Sequence, residues 1–443
     1  MNVLELYDAD SDRTSAGIAS VLESAVREGQ IPSNFLLPPV RTLAEAVGVS
    51  PATAASAYRR LRLRGVVVTG GRRGTRVSAA PPLAHTPNAL PVPEGTRDLS
   101  SGNPDPALLP DLAPVLRTVP NDPVLYGHNA HDERLLELGR KGFEHDGVAS
   151  ASVTVLSGAL DGVERVLRAH LAPGDRVGLE DPGWRSLSRL VASLNLVPVP
   201  VAIDDAGIRP ESLQNALRQG LDALIVTPRA QNPLGAALEP DRARELISVV
   251  AGHPGLLVVE DDHAGPVSGA PYESITGSSE RWAVVRSVSK SFGPDLRVAL
   301  MAGDQTTIAR VQNRLLLGSG WVSHVLQRAV ARMWSDPATP ALLERASETY
   351  RTRREGFISA LARRSIPASG KTGLNVWIEV GEETGVVAAL LARKWAVAAG
   401  EQFRMTTPPA IRVTISTLVP DEAEALAHDL ASAFTSRTRT PAA

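Results

Sequence analysis

The stretch WAVVRSVSKSFGPDLR, residues 282 to 297, starts as an apolar run and ends among serines, a lysine and an arginine. The chain has 46 basic residues, yet lysine stands only at positions 141, 290, 371 and 394. A bare positive charge in this chain is an arginine by default, so Lys290 between two serines hints at amine chemistry. A guanidinium stays protonated and is no nucleophile, whereas a lysine amine can be tuned to form a Schiff base. Taken alone, the residue reads as a surface lysine.

The pattern recurs along the chain. SVTVLS ends at Ser157, RVGLED at Asp181, ALIVT at Thr227, LLVVED at Asp261 and WAVVRSVSK at Lys290. Short apolar runs alternating with helical stretches predict a mainly parallel sheet covered on both faces. Ligands of open sheets bind beyond the carboxyl ends of the strands, where these polar residues lie, so one crevice could gather them all.

Their chemistry is complementary. SGALDG, from Ser157 through Gly158 and Ala159 to Gly162, offers backbone amides at a helix start, where donors and helix dipole hold a phosphate. Ser287 and Arg297 add a hydroxyl and a bidentate charged grip. Asp261 suits a protonated ring nitrogen, and Lys290 an aldehyde. Trp184 in EDPGWRSL offers a ring for stacking, and Asn232 in QNPLG can donate to a phenolic oxygen. A phosphate, a pyridinium, a phenolate and an aldehyde describe pyridoxal 5'-phosphate (PLP). Each element has an ordinary reading as a helix start, a core tryptophan or a turn; the order of the set is what argues for the cofactor.

At 443 residues the chain suggests two or three domains, and 43% hydrophobic with 21% charged residues is an ordinary globular balance. The absence of cysteine excludes disulfides, zinc-thiolate sites and thiol nucleophiles, and no metal site is expected. No apolar run approaches membrane-spanning length and the amino terminus carries acids, so a cytoplasmic protein without membrane contact is expected.

Charge is uneven. Residues 1–78 hold ten Arg against seven acids, and from Arg41 to Arg76 eight Arg face only Glu45. Residues 79–97 are proline-bearing, as expected of a linker. Within the basic module, Ile18, Val21, Leu22, Ala25 and Val26 follow helical spacing up to Gly29, a short helix covers Thr42–Val47, and Ser50 caps a third that Gly65 ends. Such a pair with a tight Gly-containing turn is a helix-turn-helix, and VVVTGGRRGTRV reads as a basic wing of two strands. The outer face of the third helix offers Ala52, Thr53, Ser56, Arg59 and Arg60. A helical bundle with a solvated basic face is the plain alternative.

The segment from LPPVRTLAEAVGVS to RRGTRV resembles the winged helix of GntR-type bacterial regulators. The resemblance implies double-stranded DNA contacts by Arg41, Thr53, Arg72 and Gly74, and the helix face and wing add Ser56, Arg59 and Arg73. Pro51 departs from the pattern, where an arginine often follows the capping serine. Residues 98–436 resemble fold-type I aminotransferases. By that resemblance Lys290 is the Schiff-base lysine, Asp261 the ring-nitrogen partner, Asn232 the ring-hydroxyl donor and Arg412 in AIRVTIST the residue that holds a substrate carboxylate. SGNPDP near Gly102 marks that domain's start, and Tyr126 in LYGHNA resembles the tyrosine that reaches the phosphate from the neighbouring subunit. His263 replaces the expected tyrosine at the ring hydroxyl and is expected to titrate near neutral pH.

A winged helix, linker and aminotransferase-like body in this order resemble the MocR/GabR regulators. The expected domains are 1–78 for DNA binding, 79–97 as linker, 98–319 for PLP and 320–443 as a smaller carboxy-terminal α+β domain. The resemblance implies a bacterial, PLP-dependent transcriptional regulator, a head-to-tail homodimer that joins the nucleoid when bound to an operator. PLP or an amino compound exchanging at Lys290 would shift its conformation. The alternatives are a working aminotransferase with an accessory DNA-binding module, and PLP itself as the signal.

Overall fold

A computed structural model describes residues 6, 12–32, 34–63, 65–69, 74–77, 92–120, 122–148 and 152–435. The chain forms two compact units. In the amino-terminal unit three helices, α1 (Ser15–Arg27), α2 (Val40–Val47) and α3 (Pro51–Leu63), precede two antiparallel strands, β1 (Val67–Thr69) and β2 (Thr75–Val77). The Gly17 amide donates to the Thr14 hydroxyl at 3.1 Å to open α1, and the Thr53 amide donates to Ser50 at 3.1 Å to open α3. Such side-chain oxygens satisfy amides that a helix start leaves without partners. Helix α2 begins two residues ahead of the expected Thr42 and stops at Gly48, whose φ of +72° favours glycine. Leu22, Leu43, Val47, Ala57, Leu61 and Val77 share one core.

The wing carries a third short edge that periodicity did not announce. Leu36 bridges Arg76, the Leu37 amide donates to Thr75 and the Val77 amide to Phe35, both at 2.9 Å. A pairing of so few residues leaves no repeating pattern to read. Arg72 and Arg73 at the wing tip, and linker positions 79–91, lie outside the described residues.

The body is built on an eight-stranded sheet of β3 (Val153–Leu156), β4 (Arg176–Asp181), β5 (Val197–Asp204), β6 (Gly207–Ile208), β7 (Ala223–Val226), β8 (Leu257–Asp262), β9 (Arg281–Ser287) and β10 (Ala299–Gly303). Their order is β3-β10-β9-β8-β7-β4-β5-β6. Strands β9, β8, β7 and β4 run parallel, as expected. Every residue of β3, β7, β8 and β10 is buried, which is why they read as continuous apolar runs. Strand β10 was not anticipated, and it is antiparallel to both β9 and β3. The short Lys290 loop that joins β9 to β10 contains no long helix, and a parallel return would need a longer crossover.

Four helices matter for the sites described below: α4 (Glu133–His145), α5 (Ala159–His170), α6 (His324–Trp334) and α7 (Thr339–Ala362). Val330, Ala331 and Met333 of α6 share a core with Val155, Val284 and Leu300, so that core continues past residue 319, where the sequence reading divides the body. Helix α7 leads to a smaller antiparallel sheet of β11 (Asn375–Glu379), β12 (Ala398–Ala399) and β13 (Ala410–Thr414), ordered β11-β13-β12. Arg97–Asp98 pairs in parallel with Trp395–Ala396, which draws the last expected linker residue into the body.

Candidate functional site

Because β4, β7, β8 and β9 run one way, the polar residues that end them fall along one edge of the sheet. At one end of this row lies an anion cradle. Gly158 precedes α5 with a φ of +97° and no side-chain cap, so the amides that begin α5 are left for another acceptor. A Cβ on Gly158 would lie 2.6 Å from Arg297 Nη2, and the same Nη2 donates to the Ser157 carbonyl at 3.0 Å. Ser157, Gly158, Ala159 and Arg297 are thus brought together. Ser287, buried at the end of β9, shares a 2.7 Å hydroxyl contact with Ser289. One expected donor is taken: the Ser157 amide donates to Asp161 Oδ2 at 3.1 Å, and Asp161 is ion-paired with Arg165.

Lys290 Nζ donates to the Gly102 carbonyl at 2.7 Å. Burial, and then the nearby charge of Arg412, lower its amine to about 8. Asp261 is 2% exposed and its Oδ1 has no hydrogen-bond partner. Burial, followed by the charges of Asp262 and Glu180, raises this carboxyl to about 7. An unsatisfied buried carboxylate oxygen is costly, and a protonated ring nitrogen is a donor that would satisfy it. Burial and the Lys290 charge push His263 down to about 4. The imidazole is therefore neutral at pH 7, a correction to the expected titration near neutrality. Trp184 sits half-buried beyond the end of β4.

Arg412, on β13, is buried and donates to Asn232 Oδ1 at 3.0 Å and to the Ser100 carbonyl. Its guanidinium lies 4.7 Å from the Phe403 ring centre, and its Nε has no partner. With Asn232 Oδ1 occupied, the amide nitrogen is the group left to donate elsewhere. Gly102, with a φ of +70°, brings its Cα so near that a Cβ there would meet the Arg412 guanidinium at 3.3 Å. Lys290, Gly102, Arg412 and Asn232 therefore form one connected cluster. Phe403 and Ser100 belong to it and were not singled out in the sequence, because neither lies in a motif.

Tyr126 stands apart from this cluster in its own chain. It is 93% exposed, and its ring meets Trp321 edge-on with centroids 5.4 Å apart.

In the amino-terminal unit Arg41 and Arg59 are exposed, and Ser56 is half-buried on the outer side of α3. The Thr53 hydroxyl is engaged with that of Ser50 at 2.9 Å, so Thr53 serves the helix cap. Gly74 has a φ of +80° and opens β2.

The lysine, the orphaned aspartate and the glycine–arginine cradle fit PLP. Residues 118–430 match the family described as aminotransferase class I and II, and residues 14–77 match the bacterial regulatory proteins of the gntR family. The fold is also that of solved aminotransferases, among them the kynurenine aminotransferase of Pyrococcus horikoshii, with a TM-score of 0.71 at 20% identity over 78% of this chain and 92% of that one. At that identity the likeness speaks for the fold alone. A GntR winged helix fused to an aminotransferase domain defines a class of transcriptional regulators. Within it, this chain is 36% identical over 432 residues to the vitamin B6 salvage pathway transcriptional repressor PtsJ of Salmonella typhimurium, covering 95% of this chain and 99% of the relative. It is 28% identical to the pyridoxine biosynthesis regulator PdxR of Corynebacterium glutamicum, over 72% of each chain. The chain belongs to the MocR-type GntR regulators.

Proposed function

We propose that this regulator binds PLP through Lys290 and that PLP, or an amino compound that exchanges with the lysine, is the signal it converts into a change of operator binding. The observation that carries the proposal is Asp261, a buried carboxylate with an unsatisfied Oδ1 on the same strand-end edge as Lys290. Bound PLP supplies an aldehyde that joins amines reversibly. Gly158, Ala159, Ser287 and Arg297 hold the phosphate, Trp184 stacks on the ring, and Asn232 and His263 face its hydroxyl. Arg412 receives an effector carboxylate. Residues 1–78 bind double-stranded DNA through Arg41, Ser56, Arg59 and the wing, in the bacterial cytoplasm.

A homodimer completes the site. Leu125, Tyr126, Leu316 and Leu317 are exposed apolar residues, each at least 59% accessible. A second copy covering them would bring Tyr126 to the neighbouring phosphate, and exposed apolar residues are what such an interface buries.

PLP itself is favoured as signal over a permanently held cofactor by Asp161, which takes the Ser157 amide and sets a carboxylate, offset by Arg165, in the first turn below the cradle. Both features weaken phosphate binding, and the two relatives named above carry vitamin B6 in their names.

The test is an absorbance titration of the full chain with PLP. The expected result is a visible band of lysine-bound PLP in the wild type that is missing from Lys290→Ala. No band in the wild type would overturn the reading. Sustained turnover with an amino donor and a keto acid would move the catalytic alternative ahead.

A further inference from the structure

A cavity of about 1040 Å³ lies among the end of α4, the Lys290 loop, the end of α6 and the start of α7. Neither Asp261, Lys290, Asn232 nor Arg412 lines it. Asp261 and Asp262 are consecutive in β8, so their side chains leave opposite faces of the sheet. Asp262 is gripped by Arg229 at 2.8 Å and by Arg286 at 2.7 Å, and both arginines line the cavity. The cavity therefore sits across the sheet from Asp261, and of the PLP residues named above only Ser287, at the end of β9, lines it.

We propose that this cavity is a second small-molecule site and that it takes an aromatic carboxylate.

Its inner end sets two arginines against two aspartates and is already shaped for carboxylates. Arg229 and Arg286 are each 8% exposed in their side chains, and Asp262, fully buried, answers only one of the two charges. The other is answered by Asp146 at the end of α4, 2.7 Å from Arg286 Nη2 and 3.6 Å from Arg229 Nη2. That contact is an ion pair without hydrogen-bond geometry, since Arg286 Nη2 makes no hydrogen bond. Asp146 is also the more exposed carboxylate, at 20%. It occupies the place that a ligand carboxylate would take, and planar guanidiniums favour such a group.

The walls are suited to a ring. Phe292 and Trp334 meet edge-on at 6.2 Å, and Val288 and Leu343 add apolar surface. Helix α7 contributes Thr339, Pro340 and Ala341 from its first turn; the Thr339 amide is given to the Asp336 carbonyl and Pro340 has none, so what the turn adds is its positive dipole end. Glu344, Arg345 and Glu348 also line the cavity, and their one net negative charge is exposed to solvent and screened there. An apolar pocket of this size with a few convergent polar groups has the general form of a ligand site.

The cavity has a route to the regulator's own site. Ser287 at the end of β9 and Val288, Ser291 and Phe292 of the Lys290 loop form part of its lining, so an occupant would press on that loop from behind. That consequence rests on the PLP reading, whereas the binding claim does not.

The test measures ligand line broadening in NMR spectra of the full chain, without PLP, titrated with benzoate and with indole-3-acetate, with benzyl alcohol as the uncharged control. Binding at millimolar concentration is expected for the two carboxylates and not for the alcohol. Asp146→Asn is expected to tighten it several-fold by removing the competing carboxylate, a gain that misfolding could not produce. Ala341→Trp, which fills the cavity from its rim, is expected to abolish it, and Lys290→Ala to leave it unchanged. Absence of carboxylate binding in both wild type and Asp146→Asn would overturn the proposal. So would equal binding of the alcohol, or loss of binding in Lys290→Ala, which would put the ligand in the PLP cleft instead.

Discussion

Lys290 owes its chemistry to its surroundings, because burial and Arg412 hold its amine at about 8 instead of its ordinary value. Only the neutral amine attacks an aldehyde, so the rate of PLP capture should rise about tenfold from pH 7 to pH 9, with a midpoint near 8, in stopped-flow absorbance. Asp261 works in the other direction. Its folded-state value, about 7, lies above the ordinary carboxyl range. The stability it contributes is complete at low pH, below its unfolded-state value, and is lost as pH rises through about 7. Asp261→Asn should therefore melt higher than the wild type at pH 8 in the absence of PLP, with the gap closing toward pH 4, while PLP affinity falls. Calorimetry across pH checks the first and the absorbance titration the second. Gly158→Ala should weaken PLP binding tenfold or more, because its left-handed φ and the 2.6 Å approach of Arg297 leave no place for a methyl group. These residues were legible because each belongs to a short motif. Phe403, the Ser157–Asp161 bond and the low value of His263 were not, since they depend on what packs around each group and on no spacing along the chain.

At the scale of elements, the apolar runs that end in polar residues were enough to read β4, β7, β8 and β9 and the edge where they converge. Strand β10 went unread because an apolar run does not state its direction; the length of the Lys290 loop does, once the strand is known. The three helices of the amino-terminal unit were legible from the apolar spacing of α1, from Gly48 and from the Ser50 cap, and α3 presents Arg59 outward. Arg59→Ala should weaken binding to double-stranded DNA selected by the full chain from random sequences, and should lower the slope of log affinity against log salt by about one if Arg59 meets a phosphate. Fluorescence anisotropy at several salt concentrations reads both quantities. An unchanged slope would assign Arg59 to base contact or to neither.

For the whole molecule, the proposed second copy would bury the exposed apolar residues Tyr126 and Leu317, and Leu317→Asp should then shift the protein toward monomer in sedimentation, with PLP affinity falling as the neighbour's Tyr126 is withdrawn. Where PLP couples the body to the winged helix, linkage demands that the coupling be reciprocal. It was legible only as domain order, because no single motif encodes a conformational equilibrium. The most direct measurement is the affinity of full-length protein for its selected DNA as PLP is titrated, for wild type beside Lys290→Ala. PLP is expected to change the wild-type affinity about five-fold or more and to leave the variant's unchanged. An affinity that ignores PLP and added amines in the wild type, in a protein whose absorbance proves the lysine loaded, would contradict this expectation.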